Sequence, residues 1–485
     1  MDTVLHQDDE GHRGALLKKT LGARDLIAFG IGMIIGTGIF TLTGIQARNN
    51  AGPAIVISFA LAGGIAMLAA LCYAELAAAV PTAGSAYTYA YTTIGEIFAW
   101  VIAWDLVLEF ALGAAVVARG WSGYLQSALN LPTTLFGEAA PVNVGAVAIV
   151  LVLGFVAARG ISEARWVTTA LVVIKVSICV FIICVGAFFI RVANYHPFIP
   201  PAQPSEGGAS AWEQPLYQFL TGVEPTKFGI GGVLAAAAVV FFAYSGFEVV
   251  ANLGEETKNP GRDMPKGLLG SLIICTVLYV AVCFVVTGMV KYTNLSEGAP
   301  LADAFDAVGL GWAGILISIA AVCGLTSVIL VDIVGMGRVA FALCRDGLLP
   351  KRIGMVHPKW GTPIGVTIAS TLLIAALAAL VPLRLLADMV SIGTLFAFLI
   401  VSVAVAVLRK TAPDMKRPFR VPWSPFVPIL SAVLCLVMMS SLGVDTWVRF
   451  LVWLLIGMAI YLGYGYRHSR LATDELAEGL VKSVP

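Results

Sequence analysis

Four ionisable side chains stand inside long apolar stretches of this 485-residue chain: Glu109, Lys175, Glu248 and Asp332. A charge at the middle of a membrane helix costs about 2.5 to 3.5 kcal/mol on insertion scales, so each needs a partner or a purpose. Lys175, in Ala170-Leu171-Val172-Val173-Ile174-Lys175-Val176, sits too deep in its stretch to snorkel to a surface. Two readings are open for it. Desolvation favours an ammonium that gives up its charge, which suits a carrier of protons; the alternative is a permanently charged lysine bonded to backbone carbonyls that holds one helix to another. Asp332 interrupts Thr326-Ser327-Val328-Ile329-Leu330-Val331, and three readings are open. It contacts a cationic substrate through a charged hydrogen bond worth about 1.5 to 3 kcal/mol, or pairs with Lys175, or is a protonated acid donating to a carbonyl. Glu109 is either a structural carboxylate or part of a site.

The backbone offers chemistry at two places. Gly30-Ile31-Gly32-Met33-Ile34-Ile35-Gly36-Thr37-Gly38 holds four glycines in nine residues, each of which disfavours a continuous helix by up to about 1 kcal/mol. Five apolar segments later, Phe241-Phe242-Ala243-Tyr244-Ser245-Gly246-Phe247-Glu248 forms a second small-residue interruption followed by an acid. Paired interruptions in corresponding halves of a membrane protein point to a substrate site at the bilayer midplane. Amides freed at a half-helix N-terminus attract a carboxylate, and freed carbonyls accept an ammonium, so one broken pair serves both ends of an amino acid zwitterion. The expected contacts are the amides around Gly36, Thr37 and Gly38 for the carboxylate, and the carbonyls around Ile35, Phe242, Ala243 and Ser245 for the ammonium. Close helix packing through small residues is the competing explanation of the glycines.

The elements that must position these groups are membrane helices. Hydrophobic residues make up 59% of the chain and charged ones 12%, a balance that lipid solvates and water does not. A crossing takes roughly 20 helical residues. Twelve stretches suffice, starting near residues 25, 53, 96, 142, 164, 229, 266, 312, 363, 385, 424 and 447. About 22 of the 30 Lys and Arg fall in the tails and the even-to-odd connections, which makes both termini cytoplasmic. Residues 1–24 and 467–485 read as cytoplasmic tails around one membrane domain over 25–466, and the first lacks the apolar core of a signal peptide. Two outer connections are longer than turns: residues 192–228, and residues 292–311 with an amphipathic LADAFDAVGL. Continuous apolar spans without alternation make the fold an all-α bundle. Glu75, with Pro81 and Gly84 beyond it, reads as fixing the cytoplasmic end of the bundle, and Arg338, Arg345 and Asp346 as closing the eighth span. The eight cysteines fall in apolar runs and read as packing residues.

The chain resembles the amino acid/polyamine/organocation transporter superfamily, specifically bacterial members of its cationic amino acid transporter branch. The matching stretches are GMIIGTGIF, CYAELAAAVPTAGSAYTYAY, WDLVLEF, FFAYSGFE with GEETKNPGRDMPKG, GRVAFALCRDGLLP and SIGTLFAFLIVS, spread nearly end to end. The resemblance implies two inverted five-helix repeats plus two further helices, as in the bacterial leucine transporter, with discontinuous first and sixth helices and alternating access around a central site. It implies that Lys175 takes the place of the sodium ion of sodium-coupled relatives and carries the coupled proton. It places Glu109 close to substrate and the coupling network, Glu248 near ligand and gate, and Phe242 as the aromatic that closes over the substrate. It sets Asp332 where relatives carry a small or apolar residue lining the side-chain pocket, a departure that favours a cationic side chain.

The expectation is a proton-coupled importer of amino acids, cationic ones first (arginine, lysine, ornithine), in the plasma membrane. A neutral amino acid:proton symporter, or an exchanger of amino acids or polyamines, uses the same chemistry. His6, His12, His196, His357 and His468 lie in tails or loops, and no HExxH, nucleophile elbow or phosphate loop occurs, so neither an enzyme nor a metal site is expected. The net charge of +1 gives no footprint for nucleic acid. No cofactor is expected beyond the coupling proton. The partners are the small-molecule substrate and the bilayer; whether a small membrane subunit accompanies the chain is not written in it.

Overall fold

The computed structural model describes residues 19–79, 95–160, 165–204, 212–224, 226–254, 256–357 and 360–469. Most of the two tails, and Pro81 and Gly84, lie outside the described residues. Within them a helix begins close to every expected start: α1 Ala23–Ile34, α2 Ile55–Ala79, α3 Glu96–Leu129, α4 Val144–Ala158, α5 Arg165–Gly186, α6 Gly229–Val240, α7 Pro260–Met289, α8 Gly311–Arg345, α9 Ile364–Leu380, α10 Leu383–Thr411, α11 Phe426–Ser440 and α12 Val444–Ile460. Eight helical stretches among the described residues are long and apolar enough to cross a membrane; α4, α9 and α11 are apolar but shorter. α7 starts six residues before the expected position because Pro260 at its first turn and Asp263 beside it suit a helix N-terminus.

Burial sorts the helices. The most apolar windows of the stretches Glu96–Leu129 and Gly229–Ala251 are 83% buried, against 22% for Val444–His468, so α3 and the α6 region are interior and α12 is peripheral. α3 packs most extensively on α8 and α10, and α7 on α1 and α2. The outward faces carry Phe155, Ile273, Val277, Ile319, Leu372 and Leu455 in exposed positions. A chain solvated by lipid leaves such side chains outside, because hydrocarbon is as apolar as they are. Of the eight cysteines, Cys184 and Cys323 are exposed on this outer surface, so the packing role holds only for the six buried ones.

Polar groups inside the bundle are paired across helices at its ends. Arg119 of α3, 4% exposed, donates from Nε to Glu138 Oε2 at 2.8 Å and from Nη1 to the Ala378 carbonyl at 3.1 Å. The other oxygen of Glu138 accepts from the Leu383 amide that opens α10. At the opposite end Glu75 of α2, 2% exposed, accepts from Arg409 Nη2 at 2.6 Å, Arg409 Nε at 3.1 Å and the Val421 amide at 2.7 Å, with Arg417 Nε 3.4 Å away. Glu75 therefore fixes α2 to α10 and to the segment before α11, as its position suggested. α12 is attached to α3 by indoles: Trp104 Nε1 donates to the Trp453 carbonyl, Trp453 Nε1 to the Trp104 carbonyl, and Trp100 Nε1 to the Gly457 carbonyl. The amphipathic stretch in the 292–311 connection forms a helix, Pro300–Ala307, that buries Leu301, Ala302, Ala304 and Phe305. In the other long connection Gln203 pairs with Lys227 and Pro204 with Thr226 in a two-residue antiparallel ladder.

Replacing Glu75 by alanine leaves two guanidinium groups short of their carboxylate, a loss of about 3 to 5 kcal/mol for a buried pair. The variant is expected to melt well below wild type in a detergent thermal-shift assay. An unchanged melting temperature would show that the three-way clamp contributes nothing to the fold.

Candidate functional site

The glycines of the first span divide into two jobs. α1 runs unbroken through Gly30 and Gly32, where the packing explanation holds: an added Cβ would come within 2.6 Å of Ser271 Oγ at Gly30 and 2.7 Å of Val172 Cγ2 at Gly32. The helix stops at Ile35, which is extended (φ −72°, ψ 95°), and resumes as a π-helical turn at Gly38–Leu42. At Gly36 an added Cβ would find nothing nearer than 3.9 Å. The break thus falls at Ile35–Thr37, and only part of the glycine run causes it.

A broken helix in an apolar core leaves carbonyls that need donors. Side chains from other helices supply them. Lys175 Nζ of α5 donates to the Gly32 carbonyl at 2.6 Å, Tyr279 Oη of α7 to the Ile34 carbonyl at 2.6 Å, and Tyr124 Oη of α3 to the Phe40 carbonyl at 2.5 Å. The second interruption follows the same plan. α6 tightens into a 3₁₀ turn at Phe241–Tyr244, Ser245 is extended, and Gly246 takes φ 107°, a region that only glycine enters freely. A second 3₁₀ segment, Phe247–Leu253, continues the span. Tyr244 Oη donates to the Phe59 carbonyl of α2 at 2.7 Å.

The two breaks meet. A Cβ on Gly38 would fall inside Ala243, so the glycine is what lets the two backbones touch. Beside this contact lies a small cavity of about 30 Å³, room for a water and, in this conformation, closed down too far for an amino acid. Gly36, Thr37, Gly38, Glu109, Phe242, Ala243, Ser245, Glu248 and Asp332 all line it, with apolar walls from Phe110, Val117, Val249 and Val328. Of the expected contacts Ile35 is not among the lining residues; it is fully buried, its amide already donating to the Ile31 carbonyl. Lys175 is also outside the cavity, its stem packed against Gly324 of α8 and its ammonium on α1.

Three carboxylates face this small volume from three elements. Glu109 Oε1 of α3 accepts from Thr394 Oγ1 of α10 at 2.7 Å. Glu248 Oε1 accepts from the Gly246 amide at 2.8 Å, an amide that the break itself frees. Asp332 of α8 reaches toward Gly113 of α3, where an added Cβ would lie 3.4 Å from its Oδ2. Among the described residues Glu109 Oε2, Glu248 Oε2 and Thr37 Oγ1 are buried without a hydrogen-bond partner. No Lys, Arg or His is found among the residues lining the cavity. The arrangement can hold an anion on freed amides and the Thr37 hydroxyl, and cations on acids and freed carbonyls.

Two buried charges on α3 escape the sequence reading: Asp105, fully buried, and Arg119. Their apolar surroundings carry the same signal that singles out Lys175. Arg119 proves structural through Glu138. Asp105 lies one turn from Glu109 and outside the residues lining the cavity.

A lipid-solvated helical bundle with two broken helices meeting at an acidic cavity is the build of a membrane transporter of small solutes. The chain belongs to the amino acid permease family, whose model matches residues 21–461. It is 42% identical to a branched-chain amino acid permease of Bacillus subtilis (strain 168) over 468 residues, covering 94% of this chain and 95% of that one. It is 41% identical to a methylthioribose transporter of the same organism, with the same coverage of both chains. Cationic amino acid transporter 1 of Arabidopsis thaliana is 37% identical over 84% of this chain and 66% of its own length. The resemblance drawn from the motifs therefore holds: the chain is a multi-pass membrane transporter for amino acids and not an enzyme.

Gly38→Ala tests the contact between the breaks. Overpacking costs roughly 1 to 3 kcal/mol, so substrate-induced thermal stabilisation is expected to need roughly tenfold more amino acid. Equal stabilisation at equal concentration would mean that the two breaks do not form one site.

Proposed function

We propose that the protein imports cationic amino acids, such as lysine, arginine and ornithine, by alternating access coupled to inward proton flow. The observation that carries this reading is the cavity itself: three carboxylates, no basic side chain and two broken backbones converge on one volume. The substrate carboxylate binds the amides around Gly36, Thr37 and Gly38 and the Thr37 hydroxyl. The α-ammonium binds the carbonyls at Phe242, Ala243 and Ser245 together with Glu109 and Glu248, and the side-chain cation meets Asp332. Twelve crossings built as two inverted five-helix repeats plus α11 and α12, forming one domain over residues 25–466 with cytoplasmic termini, supply the frame in the plasma membrane. Lys175, bonded to the α1 carbonyl just before the break, carries the coupled proton: protonated it ties α1 to α5, and deprotonated it releases that tie, biasing the broken helices between outward-open and inward-open packings.

A second reading has its own support. The two Bacillus relatives are named for branched-chain amino acids and methylthioribose, and Phe110, Val117, Val249 and Val328 give the cavity apolar walls. Such walls suit a neutral side chain once the cavity widens, with Asp332 as a protonated donor. An exchanger would use the same contacts and show counterflow without net uptake.

Radiolabelled uptake into proteoliposomes under an imposed inward proton gradient decides between them. Wild type is expected to prefer L-lysine over L-leucine, and Asp332→Ser to lose roughly ten- to hundredfold in lysine uptake, the value of one charged hydrogen bond. A wild-type preference for leucine selects the neutral reading. In the same vesicles Lys175→Ala is expected to abolish accumulation driven by the pH gradient. An intact pH dependence in that variant would overturn the role given to Lys175.

A further inference from the structure

We propose that Asp105 is a proton site, placed one helical turn beyond Glu109, that relays the coupled proton between the cavity and the end of the bundle at which α3 begins. The inference rests on the proton-coupled reading above and adds a residue to it.

The geometry is specific. Asp105 is 0% exposed, and neither of its carboxylate oxygens has a hydrogen-bond partner among the described residues. An isolated buried carboxylate without donors is among the most costly groups a fold can carry. It must therefore hold a proton or a cation for at least part of the working cycle. Its position on α3, four residues before Glu109, puts both acids on one face about 6 Å apart along the axis. Consecutive residues of α10 meet the two acids. Thr394 donates to Glu109 Oε1, while at Gly393 an added Cβ would sit 3.0 Å from Asp105 Oδ1. The glycine thus leaves room for the carboxylate where any other side chain would crowd it.

The surroundings leave Glu109 as the exchange partner. α4 and α9 carry no titratable side chain in their helices, and those of α10 (Arg384, Asp388, Arg409 and Lys410) lie toward its ends, away from Gly393. α8 presents Asp332 to Gly113, two turns further along α3, and its Arg338 is exposed. Asp445 and Arg449 of α12 pair with each other at its start, and Tyr461, just past its end, donates to Glu96 at the start of α3. In the transfer step a water bridges the two acids: the O–H bond of a protonated Glu109 breaks as the water takes its proton, and the water gives up another to form a new O–H bond on the Asp105 carboxylate. Glu109 is left charged and free to hold the next cation, and Asp105 then returns its proton to water at the Glu96 end of α3.

The test compares wild type, Asp105→Asn and Asp105→Glu in proteoliposomes, using radiolabelled L-lysine and L-leucine. Each preparation is measured twice: for counterflow at equal pH, and for accumulation under an inward proton gradient across a range of external pH. Expected for Asp105→Asn is a fall of roughly tenfold or more in gradient-driven accumulation relative to counterflow in the same vesicles, with a flattened pH profile. Asp105→Glu is expected to restore accumulation with a displaced pH midpoint. An Asp105→Asn protein that accumulates like wild type, or that loses counterflow and accumulation in equal proportion, overturns the relay. If that variant does not fold, Asp105→Glu decides, since an unshifted pH profile also overturns it. A wild type that ignores the proton gradient overturns the coupling reading itself, and is distinguished because no Asp105 substitution is needed to see it.

Discussion

Every backbone polar group inside a lipid-solvated bundle must find a partner within the protein. The two helix breaks are places where that requirement is met by unusual means. Helices pass the requirement automatically, and breaking one frees carbonyls and amides that would each cost several kcal/mol if left bare. Lys175, Tyr279 and Tyr124 meet the carbonyls of the first break or its flanks, and Glu248 takes an amide of the second. The remaining groups around Gly36, Thr37, Phe242 and Ala243 line the cavity. Among the described residues Thr37 Oγ1, Glu109 Oε2 and Glu248 Oε2 are left unpaired there, and they are what a solute can use.

This division explains why so much of the site could be read from sequence. A charge in an apolar stretch and a cluster of small residues are both violations of helix and membrane preferences, and violations are visible without a structure. Glu109, Glu248 and Asp332 announced themselves in that way, and they converge on one cavity. The helix positions were legible because twenty apolar residues are a strong signal. α4, α9 and α11 are shorter than that length as helices, since their ends pass into loops that sequence hydropathy does not resolve.

What escaped the sequence was contact. Glycines 30, 32, 36 and 38 look alike in the chain, yet only Gly36 sits within the break, while Gly30 and Gly32 make room for Ser271 and Val172. Ile35, whose carbonyl was expected to meet the ammonium, is adjacent to the cavity in sequence yet fully buried and absent from its lining. Arg119 and Asp105 carry the same local signature, but one meets Glu138 from a connecting segment and the other has no hydrogen-bond partner among the described residues. Pairing between residues far apart in the chain decides such cases, and no local pattern encodes it.

The reciprocal indole bonds between Trp104 and Trp453, with Trp100 on the Gly457 carbonyl, have a mechanical meaning. Two hydrogen bonds made in opposite directions at one level resist both sliding and rotation of α3 against α12, and the Arg119–Glu138 pair pins the far end of the same helix. α3 is thereby the stator of the machine. The acids it carries keep a fixed address, and in the alternating-access cycle proposed above the broken segments are the parts that move against them.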